Sequence, residues 1–153
     1  MPLDATLIYG GLYQGSKPPR GDTLRLAGFD ALVLCAEEYQ PPAEAFPGVR
    51  VHHVPFDDDW ERPLRRTELK PIVKAARFAA DTLKRNRKVL VTCYMGWNRS
   101  GIVSALTLHF LLKLSGDKAA WLVRHHRPKA LGNPMFLAHL SRVKGDPETD
   151  GMF

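Results

Sequence analysis

Cysteine is scarce in this chain, with two in 153 residues. The opening MPLDATLIYGG also lacks the basic start and apolar run of a secretory leader. Together these point to a reducing, cytoplasmic setting, in which thiols serve chemistry rather than act as staples. Long apolar runs are missing too. The most apolar window, GIVSALTLHFLLKL, is short and broken by Ser104, Thr107 and His109, so no membrane insertion is expected. Glycine and proline, twelve of each, are too few and too scattered for a fibrous or disordered chain, and there is no internal repeat. The six histidines form no H-x3-H pair and have no cysteine at zinc spacing, so neither a metal nor a cofactor is expected.

What remains is an ordinary globular composition, 44% hydrophobic and 25% charged. The length suits one domain over residues 1–153 with a hydrophobic core, ending in a flexible tail from about 146. A net charge of +6 suits anionic partners, whether phosphorylated ligands, nucleic acid or a membrane surface, and equally suits a merely soluble basic protein.

Leu7–Gly10 and Leu12–Gln14 read as a hairpin-like start. Asp22 is placed to cap a short helix, TLRLAGF. ALVLC at 31–35 is a buried strand, and VRVHHVPF alternates as another that stops at Pro55. After a charged loop at 57–66, helical periodicity runs from Thr67 to Arg87. Lys88–Val91 is a short central strand, and Ser100–Leu114, apolar on nearly every side, is a buried helix. DKAAWLVRHH and NPMFLAHLSRV give two more helices. Strands alternating with helices predict an α/β fold with a mainly parallel twisted sheet flanked by helices.

Between the central strand and the buried helix stands VTCYMGWNRSG, residues 91–101. A tight loop there turns successive backbone N–H groups inward at the positive end of a helix dipole, which makes an anion cradle from Tyr94, Met95, Gly96, Trp97 and Asn98. Gly96 allows the backbone angles of such a curl. Arg99 adds a planar fork able to grip two phosphate oxygens. The same field favours ionisation of Cys93, and a thiolate in a phosphate cradle is placed for attack on phosphorus.

The C-x5-R-S-G spacing after a strand resembles the cysteine-based protein tyrosine phosphatase superfamily and, by size, its dual-specificity branch. LYQGS, GFDALVLCAEEYQPP, VPFDDDW and GNPMFLAHL extend the resemblance over most of the chain. It implies a dual-specificity phosphatase-like fold, a Cys93 nucleophile, an Arg99 phosphate clamp and Ser100 in support of the second step. Among the aspartates of PFDDDWERP it places Asp58 as general acid, with Asp59 as second choice. The implied partner is a phosphorylated protein or small molecule, acted on by a monomer. The family usually carries histidine before the cysteine. Thr92 stands there instead, which implies slower turnover or an altered pH dependence.

LCAEEYQPP also resembles the matching segment of the lipid phosphatase related to tensin, implying that Cys35 lies near Cys93 and can trap its oxidised form. No lysine lies inside the loop, which argues against a highly charged lipid head group, whereas Tyr94, Met95 and Trp97 suit a phosphorylated aromatic side chain. GWNRSG resembles, too, the loop of RNA 5′-triphosphatases of the capping-enzyme type, which generally lack the aspartate acid. RNA is therefore the alternative substrate. A phosphate-binding module without catalysis and a basic nucleic-acid-binding module are the remaining readings. The cluster RHHRPK with Lys129, and Arg62, Arg65 and Arg66, are either solvated or in contact with substrate.

Overall fold

The computed structural model describes residues 3–153. Five strands, β1 (Thr6–Tyr9), β2 (Leu12–Gly15), β3 (Ala31–Ala36), β4 (Arg50–Phe56) and β5 (Val89–Thr92), form one sheet in the order β1-β2-β5-β3-β4. β1 and β2 pair antiparallel as a hairpin; the pairings β2–β5, β5–β3 and β3–β4 are all parallel. The expected α/β architecture, a mixed and mainly parallel sheet flanked by helices, is what the chain forms.

The apolar run of β3 marks a strand covered on both faces, and side-chain alternation sorts it. Ala31, Val33 and Cys35 join the larger core with Val89 and Val91 of β5. That core is closed by α2 (Arg66–Lys84), α3 (Arg99–Leu112), α4 (Gly116–His126) and α5 (Pro134–Leu140). Leu32, Leu34 and Leu90 face the other way, onto Leu24 of α1 (Thr23–Leu26), Phe29 and Phe46. Residues Arg99 through Leu108 of α3 are all buried, as expected for a helix lacking a polar face. Each large aliphatic there, Leu108 for example, contributes about 2–5 kcal/mol against truncation to alanine.

Three local expectations are revised. Asp22 makes no side-chain cap on α1; its carboxylate turns to Arg25 at 3.5 Å instead. β4 runs through Pro55 to Phe56, because β4 is the sheet edge and a missing N–H there breaks no ladder. Residues 146–153, expected as a tail, carry α6 (Pro147–Asp150). The Asp150 carboxylate accepts the Ser115 N–H at 2.8 Å, and Phe153 meets Tyr9 edge-on at 5.9 Å. Among the described residues no helix is long and apolar enough to cross a membrane.

β5 lies in the middle of the sheet, and its carboxyl end opens directly into α3. In open α/β sheets ligands sit beyond the carboxyl ends of the strands, so the loop between these two elements is where chemistry is sought.

Candidate active site

Cys93 follows β5 immediately and is 5% exposed, at the foot of the loop. Its Sγ lies 3.2 Å from Ser100 Oγ in the first turn of α3. Above it the chain curls so that carbonyls point outward, and each is taken by a donor from the surrounding framework. Lys17 N–H donates to Tyr94 O at 3.0 Å, and Leu131 N–H to Trp97 O at 3.1 Å. Arg127 Nη2 donates to Met95 O at 3.2 Å. Gly96 O accepts twice, from Gln14 Nε2 at 3.0 Å and Arg127 Nε at 2.7 Å.

With the carbonyls held outside, the N–H groups of residues 94–99 have no acceptor among the described residues. They lie between Cys93 and the first turn of a fourteen-residue helix, and free N–H groups at a helix N-terminus favour anions. Gly96 sits at φ +74°, and a Cβ added there would lie 2.5 Å from both Arg127 Nη2 and the Gly15 carbonyl carbon. Only glycine meets both conditions.

Arg99 is buried, and its guanidinium is gripped from behind. Nη1 and Nη2 donate to the two carboxylate oxygens of Glu38 at 2.6 and 2.9 Å, and Nη1 also donates to Phe56 O at 3.3 Å. Its Nε is buried and lacks a partner among the described residues. Burial works against the charge of Arg99, but Glu38 together with the neighbouring Cys93 and Asp58 outweighs it, and the guanidinium is held above its ordinary pKa. The hydrogen bond from Arg99, against a smaller opposing effect of burial, holds Glu38 below the usual carboxylate range.

Asp58 reaches the loop. Its Oδ2 accepts from Asn98 Nδ2 at 2.9 Å and its Oδ1 from Asn133 Nδ2 at 2.7 Å. Asp59 turns away to Arg62 at 3.4 Å, and Arg62 is further occupied by Glu68 at 2.8 Å. Of the sequence-predicted residues, the fold thus gathers Cys93, Arg99, Ser100, Asp58 and the loop from Tyr94 to Asn98. Arg65 and Arg66 lie exposed at the start of α2.

Thr92 is fully buried and donates from Oγ1 to Val33 O of β3 at 2.9 Å. Cys35 lies one residue beyond the Leu34–Thr92 pair of the parallel β3–β5 ladder, which sets it beside Cys93. Burial, and then the charge of Cys93, push the Cys35 thiol well above its ordinary pKa. Both cysteines are free.

Glu38, Gln14, Arg127 and Asn133 are the participants that sequence reasoning missed. Asn133 directly before Pro134 does carry a readable helix-start signal, and its Oδ1 accepts the Met135 N–H at 2.9 Å. Around the mouth, Tyr94, Met95 and Trp60 are about half exposed. Lys17 Nζ sits 4.7 Å from the ring of Tyr39 and 5.8 Å from that of Tyr94, and Lys129 Nζ sits 5.4 Å from that of Trp97. Among the described residues no group of three or more histidine, cysteine or acidic side chains is arranged to hold a metal.

No protein-family model matches the sequence, and no curated protein matches it. Solved structures do. Human DUSP28 superposes with a TM-score of 0.76 at 26% identity, covering 93% of each chain. A mouse putative dual specificity phosphatase complexed with zinc tungstate gives 0.74 at 27% identity, over 99% of this chain and 89% of that one. Tk-PTP in the active form gives 0.70 at 26% identity, over 94% and 100%. With this likeness spanning nearly the whole chain, the protein is a cysteine-dependent phosphatase of the protein tyrosine phosphatase superfamily, on its dual-specificity-like side.

Proposed function

We propose that this phosphatase hydrolyses phosphomonoesters through a phosphocysteine on Cys93, with phosphorylated side chains of proteins, or small phosphomonoesters, as substrates. The observation that carries the reading is that the N–H groups of residues 94–99, directly after Cys93, have no acceptor among the described residues while the carbonyls of residues 94–97 are each held by a donor from elsewhere in the fold. Donors fixed in advance stabilise charge on the equatorial oxygens of a transferring phosphoryl group without reorganising.

The Cys93 thiolate attacks phosphorus, forming the S–P bond as the ester P–O bond breaks. Asp58 passes its proton to the departing oxygen. Water then attacks the phosphocysteine and gives a proton back to Asp58, and the S–P bond breaks. Ser100 Oγ, 3.2 Å from Sγ, stabilises the departing thiolate. Arg99 has its Nε edge available for phosphate oxygens while Glu38 fixes the rest of the guanidinium. The exposed Tyr94, Met95 and Trp60 favour a substrate with an aromatic body, phosphotyrosine foremost.

A phosphate-release panel tests this, comparing phosphotyrosine and phosphothreonine peptides, a phosphoinositide and RNA 5′-triphosphate. The expected order puts phosphotyrosine peptide first, with all release lost in Cys93→Ser. Release that survives Cys93→Ser refutes the mechanism, and preference for RNA 5′-triphosphate refutes the substrate class.

A further inference from the structure

We infer that Asn98 and Asn133 form a clamp that aims the Asp58 carboxyl at the leaving group, and that they are positioning residues for proton transfer. The inference rests on the acid role proposed above for Asp58 and extends it to two residues that have no part in phosphate chemistry through their side chains.

The orientation of both amides is fixed by backbone donors. Asn98 Oδ1 accepts the Asn133 N–H at 3.1 Å, so its Nδ2 must face Asp58. Asn133 Oδ1 accepts the Met135 N–H at 2.9 Å, so its Nδ2 likewise faces Asp58, with a second bond to Asp59 O at 3.0 Å. An amide whose oxygen is tied to an N–H cannot be flipped without losing that bond. Each carboxylate oxygen of Asp58 therefore has one lone pair engaged by an amide and one left for a proton.

Two further facts separate this arrangement from chance contacts on a loop. Asn98 stands at the N-cap of α3, where asparagine ordinarily caps, yet it makes no cap bond; its side chain is committed to Asp58 and Asn133. Both asparagines are also almost out of contact with water, at 5% and 0% exposure. Buried amides are costly unless bonded, and here both donate to the candidate acid, Asn133 also to Asp59 O, while their oxygens accept the Asn133 and Met135 N–H groups. The clamp joins three separate pieces of chain: the acid loop, the end of the phosphate loop and the start of α5.

The consequence is directional. Proton transfer requires heavy-atom geometry within hydrogen-bond reach of the departing oxygen. A carboxyl on a surface loop would sample many orientations, and the two amides restrict it to one. Attack by Cys93 does not use this geometry, so loss of the clamp falls on poor leaving groups, which need the proton, more than on good ones.

The test measures kcat/KM for an alkyl phosphate and for 4-nitrophenyl phosphate, and follows their ratio. Asn133→Ser keeps an oxygen able to cap α5 but removes the donor to Asp58. Asn98→Ala removes the other donor. Each variant should lower the alkyl-to-aryl ratio by about tenfold, a fraction of the full contribution of a general acid. In an Asp58→Asn background neither should lower it further, because residues acting through one group are not additive. A ratio unchanged in Asn133→Ser, confirmed folded by its melting temperature, overturns the clamp. So does a further fall in the Asp58→Asn background. A ratio unmoved by Asp58→Asn itself overturns the acid role, which is a separate failure.

Discussion

Replacing Arg127 with methionine removes a side chain that touches no substrate and should nevertheless disable turnover. Its guanidinium donates to Gly96 O at 2.7 Å and Met95 O at 3.2 Å, and also to Thr6 Oγ1 at 2.8 Å and to the Asp4 carboxylate at 2.7 and 3.0 Å. The Asp4 side chain is 45% exposed, so that ion pair is worth about 1 kcal/mol at most. The bonds to the loop carbonyls are charge-assisted, at about 1.5–3 kcal/mol each. Gly96 O keeps its bond from Gln14, whereas Met95 O loses its one donor, and the exposure of Met95 lets water replace part of the loss. A net destabilisation of about 2–4 kcal/mol follows, lowering the melting temperature by about 5–15 °C. The share that keeps the carbonyls outward, about 1.5–3 kcal/mol, translates into a ten- to hundredfold drop in kcat/KM. The assay pairs 4-nitrophenyl phosphate hydrolysis with competitive inhibition by orthovanadate. Both should weaken together, and Arg127→Lys should not restore them, because an ammonium cannot span two carbonyls as a fork does. If Arg127→Met melts lower but hydrolyses and binds vanadate as the parent does, the outward carbonyls do not build the cradle.

Three other outcomes are expected. Gly96→Ala should abolish phosphate release at all substrate concentrations while the sheet and helices persist by circular dichroism, because φ +74° and the 2.5 Å approaches cannot both be relieved; activity above a tenth of the parent's would contradict this. The Arg127 bond, opposed by burial, lowers Asp4 from 3.8 to about 2. With a depressed folded pKa, its contribution to stability is present above about pH 4 and disappears as pH falls toward 2. Asp4→Asn should accordingly lower stability at pH 6 and match the parent at pH 2, by urea unfolding. Peroxide should oxidise Cys93 to a sulfenic acid, which condenses with the Cys35 thiol to a disulfide as water leaves. Peptide mapping should find the Cys35–Cys93 crosslink, reversed by dithiothreitol, and its absence would exclude a protective pair.

The parts of this site that were legible in the sequence are local. Cys93, Gly96, Arg99 and Ser100 sit within one loop and the helix turn that follows it, whose backbone logic can be read from spacing, and Asp58 stands in a short acidic stretch well upstream that the family resemblance singled out. The strand before and the buried helix after carry strong periodicity, so the elements and their order were also readable. The illegible parts are single side chains brought in from far along the chain. Glu38 meets Arg99 from a loop after β3, Gln14 comes from inside β2, and Arg127 comes from beyond α4. Nothing near any of them marks the partner. The RHHRPK cluster invited only two readings, solvated or touching substrate, and Arg127 does neither, at 12% side-chain exposure beneath the loop. Composition cannot separate a basic residue that neutralises solvent from one that holds a carbonyl. Pro55 misled for a related reason: a proline ends a central strand but not an edge strand, and which strand is the edge is a property of topology.

The threonine before the nucleophile acquires its meaning from those distant donors. A residue at position 92 that organises the loop would have to hold outward-facing carbonyls or steady the sulfur. Thr92 does neither; its hydroxyl stitches β5 to Val33 of β3 below the loop. The four carbonyls from Tyr94 to Trp97 are instead held by Gln14 and Lys17, from the end of β2 and just beyond it, and by Arg127 and Leu131, from the loop after α4. Any donor in the right place serves a carbonyl equally well, so the cradle does not depend on an imidazole next to Cys93. Installing histidine at 92 would therefore not simply restore a family pattern. The larger ring would enter a position with no exposure to water, break the bond to Val33 O and leave that buried carbonyl to be satisfied anew.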